Sequence, residues 1–351
     1  MGDSVAGLRA FIADLPKAEL HVHHVGSASP RIVAELAARH AGATPVPADP
    51  DALADYFTFR DFAHFLEVYL SVVELVRDAD DVHLLTFEIA RELAHQRVRY
   101  AELTVTPYSH VRRGIPAPEF CAAIEDARRR AQAELGVELR WCFDIPGQTG
   151  AAADETLRIA LTEQPDGLVS FGLGGPERGV RRADFADHFA AARAAGLRSV
   201  PHAGEVAGPE SIWEALRDLH ADRIGHGIAC LADPALVAHL AQQRIPLEVC
   251  PTSNVRTRAV PSLAEHPLPA MAAAGLVLTI NSDDPPMFGT TLNDEYAVAA
   301  DLLGLDAAGV ADLARTAVTA SFAAPRRRAE LLAEIDAYVA AHPRGPVPAP
   351  R

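Results

Sequence analysis

Short apolar runs recur along most of this chain, at Tyr100–Val105, Val137–Phe143, Gly167–Leu173, Arg198–His202, Arg223–His226, Pro246–Cys250 and Leu276–Asn281. They are bounded by turn residues, as expected of strands buried on both faces of a parallel sheet. Ala/Leu/Arg-rich segments at 118–135, 184–195, 209–219 and 233–243 lie between most of them and predict helices. A further strand is predicted ahead of these, in the stretch Lys17–Gly26, beginning at Glu19-Leu20 and ending in histidines. Eight strand–helix units predict an α/β fold, a TIM (β/α)8 barrel. A doubly wound open sheet is the competing arrangement, but no Gly-rich phosphate turn follows the first strand.

The pattern between the first strand and Tyr100 is different. A short helix in 1–16 leads through Pro16 into the strand, and Ser29 caps a helix that starts at Pro30 and runs to about His40. A Pro/Ala/Asp-rich loop is predicted over 41–52, then helices over Phe59–Val76 and about Asp80–Gln96. In the first of these, Phe62, Phe65, Leu66, Tyr69, Val72 and Val73 fall at helical spacing. Phe59, Phe62 and Phe65 are read as packing for that helix rather than as groups that stack on a ligand. So many extra helices after strand one are a natural place for a lid. Three more helices, at 293–304, 308–320 and 325–340, follow the last strand, and the tail His342–Arg351 is expected to fray. With no linker rich in Gly, Ser or Pro, residues 1–351 are expected to form a single domain.

Composition narrows the function. A net charge of −15 argues against a nucleic-acid partner, which needs a basic face, and favours a small soluble substrate. Cys121, Cys142, Cys230 and Cys250 show no CxxC spacing, so neither a disulfide framework nor a cysteine zinc site is expected. The opening Met1–Phe11 lacks a basic leader before an apolar run, and no stretch approaches membrane-spanning length; a cytoplasmic location is expected. A homodimer is among the assemblies left open. Lys17 is the sole lysine, which leaves none for a carbamylated bridge between two metals on strand four, as a binuclear amidohydrolase would use.

In such a barrel, chemistry sits at the carboxyl ends of the strands. Those ends read His21 and His23; Gly172-Leu-Gly174-Gly175-Pro-Glu177; His202-Ala-Gly-Glu205; His226; and Asn281-Ser-Asp283-Asp284. His21 and His23 alternate onto one strand face. With His202 and Asp283 they make three imidazoles and a carboxylate, a set suited to one Zn2+ with a position left for water. Zinc-bound water is a nucleophile near neutral pH. Glu205, three residues after His202, is placed to shuttle protons. His226 is placed to orient the nucleophile or to stabilise charge. Asp283 and Asp284 diverge as strand neighbours and raise each other's pKa, so one of them is expected to stay protonated. Cys250–Asn254 reads as loop structure. A barrel that only bound a small molecule would lack Glu205 or a metal ligand, and none is missing.

Taken together, PKAELHVH (16–23), YAELTVTP (100–107), GLGGPE (172–177), HAGE (202–205), RIGHG (223–227), CPTSN (250–254) and NSDDP (281–285) resemble the adenosine deaminase family of metal-dependent aminohydrolases. The resemblance implies that His21, His23, His202 and Asp283 bind zinc, and that Glu205 protonates purine N1 as hydroxide adds to C6. It implies that His226 holds the hydroxide, with Asp283 also taking its proton. Asp284 would bond N7, and the Gly175 N–H would reach N3. A 6-aminopurine would become a 6-oxopurine, with loss of ammonia.

Two positions depart from the pattern. Where adenosine deaminases carry the aspartate that bonds the ribose 5′-hydroxyl, this chain reads His23-His24-Val25-Gly26, and Val25 cannot accept that bond. Pro176 also replaces an aspartate common after the strand-four glycine. The wording His23–Pro30 resembles the branch that deaminates 6-amino-6-deoxyfutalosine in menaquinone biosynthesis. An apolar Val25 would suit that substrate's carboxyphenyl-keto arm. Adenosine or adenine deamination is the alternative.

Overall fold

A computed structural model describes residues 2–40, 44–60 and 62–342. Eight parallel strands pair in sequence order: β1 (Lys17–His23), β2 (Val98–Val105), β3 (Glu138–Ile145), β4 (Leu168–Leu173), β5 (Arg198–Ala203), β6 (Ile224–His226), β7 (Leu247–Val249) and β8 (Leu278–Ile280). The ring closes just beyond β8. The His23 N–H donates to the Asp283 carbonyl at 2.8 Å, and the Asp283 N–H to the His21 carbonyl at 3.1 Å. This is the expected barrel, with helices packed around it.

The last three strands are shorter than expected, and Arg223, Pro246, Cys250, Leu276 and Asn281 lie outside them. Pairing there runs over only two or three residue pairs between neighbouring strands. The Pro/Ala/Asp-rich segment 41–52 is not all loop: Asp49 accepts from the Asp51 N–H at 3.0 Å and caps a helix over Pro50–Tyr56. A helix at Ala151–Thr162 also escaped the apolar pattern. The expected helices of the excursion span Pro30–Arg39, Phe62–Val73 and Ala79–His95, and Ser29 caps the first, accepting from the Ile32 N–H. Three C-terminal helices run over Leu292–Leu303, Ala307–Ala320 and Pro325–Ala341. Past His342 the expected frayed tail lies outside the described residues. Among the described residues, no helix is long and apolar enough to cross a membrane.

Packing around the barrel commits several histidines to the neutral form. His110 is buried and stacked on Phe120, with ring centroids 5.1 Å apart, and its Nδ1 has no partner. Burial lowers its pKa to about 3, from an ordinary 6.5. A histidine depressed in the fold contributes stability that is complete above the unfolded value and drains away as pH falls below it. His110→Phe is therefore expected to flatten the acid side. Well below pH 6.5, the wild-type stability slope should exceed the variant's by about 1.4 kcal/mol per pH unit. Urea unfolding from pH 7 to pH 5 measures it, and equal slopes would disprove the assignment.

Candidate active site

The ends of β1, β5 and β8 bring the four expected ligands together. One ligand atom each from His21, His23, His202 and Asp283 lies within 4.8 Å of the others. Asp283 Oδ1 is 3.2 Å from His23 Nε2 and 3.6 Å from His21 Nε2, and the Nε2 atoms of His23 and His202 are 3.2 Å apart. His21 Nε2 is buried and has no hydrogen-bond partner. A divalent cation between these atoms would give that nitrogen its partner and relieve the crowding of donors, so the residues present fit a metal ion.

Local backbone makes the convergence. Asp283 and His226 both lie in the left-handed region, with φ of 65° and 61°. That conformation is costly for non-glycine residues and is held only where the surroundings demand it. Gly225 gives His21 its room, since a Cβ there would lie 2.9 Å from His21 Cε1. Gly26 gives Asp284 room in the same way: a Cβ would fall inside the space of its carboxylate.

Electrostatics divide the carboxyls. Burial would push Asp283 up, but the imidazoles of His21 and His23 beside it hold it well below the usual carboxylate range. Burial raises Asp284 to about 7, against the pull of His23 and with help from ionised Asp283. The expected split of the pair is thus present. Burial, together with Asp283, raises Glu205 to about 8. Burial alone would lower His21, yet Asp283 and Glu248 lift it to about 10. The charge that would keep a proton on His21 equally favours a cation in its place.

His226 is fixed in one tautomer by a relay. The Leu268 N–H donates to His266 Nδ1 at 3.1 Å, and His266 Nε2–H donates to Asn254 Oδ1 at 3.2 Å. Asn254 Nδ2 therefore donates to His226 Nδ1 at 3.2 Å, leaving the His226 proton on Nε2. That nitrogen is 3.7 Å from Glu205 Oε2 and 3.9 Å from Asp283 Oδ2. Asn254 belongs to the Cys250–Asn254 stretch, and so does Ser253, whose hydroxyl donates to Asp283 Oδ2 at 2.6 Å. The stretch is more than loop: it forms the start of a helix, Pro251–Arg256, that buttresses two site residues.

A cavity of about 250 Å³ opens onto this cluster. His23, His202, Glu205, His226, Asp283 and Asp284 form its floor. Gly175, with φ of 72°, lies on the wall. Val25 is buried in the turn Val25–Ser27 and is not a lining residue. Phe65 does line the cavity, beside Tyr69 and Phe288, so its role is not confined to helix packing; Phe59 packs on its ring at 5.2 Å. The side chain of Phe62 lies outside the described residues.

Several supporting residues were missed from sequence. Glu248 accepts from His21 Nδ1 at 2.9 Å, and Arg223 bridges Glu248 to Glu102. Glu177 gathers the backbone N–H groups of Gly204, Glu205, Val206 and Ala207, plus the Ser211 hydroxyl, and so shapes the turn that carries Glu205. Thr257 donates to Glu205 Oε1 at 3.0 Å. The available signal was charge inside apolar runs: Glu102 and Glu248 interrupt β2 and β7, and a buried strand keeps such groups only when they are paired.

A profile described as adenosine deaminase matches residues 16–338. The chain belongs to the adenosine deaminase family. A relative named aminodeoxyfutalosine deaminase, from Streptomyces avermitilis, is 65% identical over 95% of this chain and 94% of its own length. An adenine deaminase from Streptomyces coelicolor is 39% identical over 92% of this chain and 96% of its own. Among solved structures, an adenine deaminase from Arthrobacter aurescens superposes with a TM-score of 0.88 at 33% identity, covering 93% of this chain and 99% of that one. An amidohydrolase from Burkhoderia ambifaria, solved with bound Zn, gives a TM-score of 0.86 at 26% identity over 95% and 94% of the two chains.

Proposed function

We propose that the chain hydrolytically deaminates a 6-aminopurine nucleoside to the 6-oxopurine and ammonia, and that its substrate is 6-amino-6-deoxyfutalosine, in menaquinone biosynthesis. One observation carries the reaction class. Two carboxyls raised to neutral pH or above, Asp284 and Glu205, face the same cavity as the His/Asp cluster. Such an arrangement offers protons to the ring nitrogens of a purine while a nucleophile attacks beside them. Support for the particular substrate comes from the high identity to the Streptomyces avermitilis relative; Val25, apolar and buried outside the cavity lining, supplies no acceptor for a 5′-hydroxyl.

His21, His23, His202 and Asp283 would hold one Zn2+ per chain. When bound, the ion supplies Lewis-acid activation of water at neutral pH. The chain's own residues do the rest. Protonated Glu205 gives N1 its proton as water's oxygen adds at C6, which neutralises the negative charge that breaking the ring's C6=N1 double bond places on N1. His226, with its proton fixed on Nε2, donates to the incoming oxygen and is not free to act as a base. Ionised Asp283 accepts the proton that this oxygen sheds. Asp284 donates to N7, the Gly175 N–H donates to N3, and the purine is held with C6 over the cluster. Asp283 passes its proton to the amine as the C6–N bond breaks and ammonia leaves, and the C6 hydroxyl returns a proton to Glu205, which gives the 6-oxopurine.

Steady-state rates on aminofutalosine, adenosine and adenine, followed by purine ultraviolet absorbance, test the reading. Aminofutalosine is expected to have the highest kcat/KM. Better turnover of adenosine would remove the Val25 argument.

A further inference from the structure

The carboxylate of Asp144, at the end of β3, has no part in the chemistry above. It is buried, at 3% exposure, and it lines the cavity on the side formed by Thr106, Ser109, Pro146, Gln148 and Gly175. Thr106 Oγ1 donates to its Oδ1 at 2.6 Å, which fixes the rotamer. Its Oδ2 lies against Gly174, where a Cβ would come within 2.8 Å, so the glycine clears the space that the carboxylate occupies. Burial raises the Asp144 pKa, and the nearby histidines His23 and His21 pull it back.

A carboxylate in a cavity wall needs hydrogen-bond donors from whatever fills the cavity. A 6-aminopurine offers few. N1, N3 and N7 are acceptors, and in the pose above each already faces a donor. The exocyclic amine is at the carbon being hydrolysed. The donors left on a nucleoside are the sugar hydroxyls. Position agrees with this accounting: Asp144 abuts Gly174, next to Gly175, which meets N3, and N3 flanks the ring carbon bonded to the sugar-bearing N9. We infer that Asp144, oriented by Thr106, accepts a hydrogen bond from the 2′- or 3′-hydroxyl of the ribose and makes this cavity select nucleosides over free bases. The inference rests on the deaminase reading for the pose of the purine.

Rates on a 6-aminopurine riboside and on its 2′-deoxy and 3′-deoxy counterparts, for wild type, Asp144→Asn and Thr106→Val, test it. In wild type, loss of the contacting hydroxyl is expected to lower kcat/KM by roughly ten- to a hundredfold, the range for a hydrogen bond to a charged group. In Asp144→Asn this riboside-to-deoxyriboside ratio should collapse toward one, and in Thr106→Val it should shrink. Wild type indifferent to both hydroxyls, or an Asp144→Asn ratio equal to wild type's, overturns the assignment. Calorimetric binding of purine riboside and its deoxy forms to metal-loaded protein gives the same ratio without turnover. A chain that binds these with the expected preference but deaminates nothing would refute the deaminase reading alone. A chain that deaminates without the preference would refute the Asp144 role alone. Should Asp144→Asn fail to fold, Thr106→Val, which leaves the carboxylate in place, still decides.

Discussion

Glu205→Gln is expected to keep its metal and lose roughly 10²- to 10⁴-fold in kcat, the usual contribution of a positioned general acid. The amide preserves the shape of the side chain and can still accept from Thr257, but it has no proton to give N1. Metal content should hold, because Glu205 is outside the four-residue cluster. The wild-type pH profile carries the same information. Burial and Asp283 hold the Glu205 carboxyl up to about 8, so the acid is present at neutral pH and is lost as pH rises through that value. An alkaline fall in kcat should therefore be present in wild type and absent in the variant's residual activity. Near-normal turnover by a metal-replete variant would end the proton-donor assignment.

Arg223→Met should have the largest effect on stability. The guanidinium is fully buried, bonded to Glu102 and Glu248 and to the Ala320 carbonyl at 3.0 Å, with Phe322 stacked 3.8 Å from its carbon. Its removal leaves Glu102 without a counter-charge and Glu248 with His21 alone, a loss of about 3–5 kcal/mol. Burial would raise Glu248, and Arg223 is the largest influence holding it below the usual carboxylate range; without Arg223, Glu248 should take up a proton more readily. Adding Glu102→Gln, which deletes one orphaned charge, should recover part of the loss. Because Glu248 also orients His21, metal affinity is expected to fall roughly ten- to a hundredfold. Urea unfolding of the metal-free proteins and chelator competition of the loaded ones measure the two effects. A loss below about 1 kcal/mol, typical of an exposed pair, would contradict the buried network.

These two residues mark the limits of what could be read from sequence. Glu205 could be singled out because His202, a candidate ligand, sits three positions away at a strand end, and the structure places both on one cavity. The barrel was legible for a similar reason: doubly buried strands leave unbroken apolar runs. Arg223 and Glu248 were not assigned, because Arg223, beside β6, takes its meaning from Glu248 on the neighbouring β7 and Glu102 on β2 across the barrel, and pairing across strands has no local period. The tautomer of His226 was left open for the same cause, being decided by Asn254, His266 and the Leu268 backbone. Asp144 falls one residue past the predicted run Val137–Phe143, and the sequence alone did not single it out.

The seam that shuts the barrel runs through the proposed ligands themselves. His21 and His23 meet Asp283 by backbone hydrogen bonds, and the side chains of the same three residues belong to the metal cluster. Closing the ring and assembling the coordination sphere are thus one event, and each lowers the cost of the other. An ion that binds only the closed ring adds RT ln(1 + [M]/Kd) to folding stability, where [M] is its free concentration. Cells short of the metal would then hold a chain that is not merely idle but easier to open along its first and last strands, and so more exposed to proteolysis. Metal supply would set the lifetime of the protein as well as its rate.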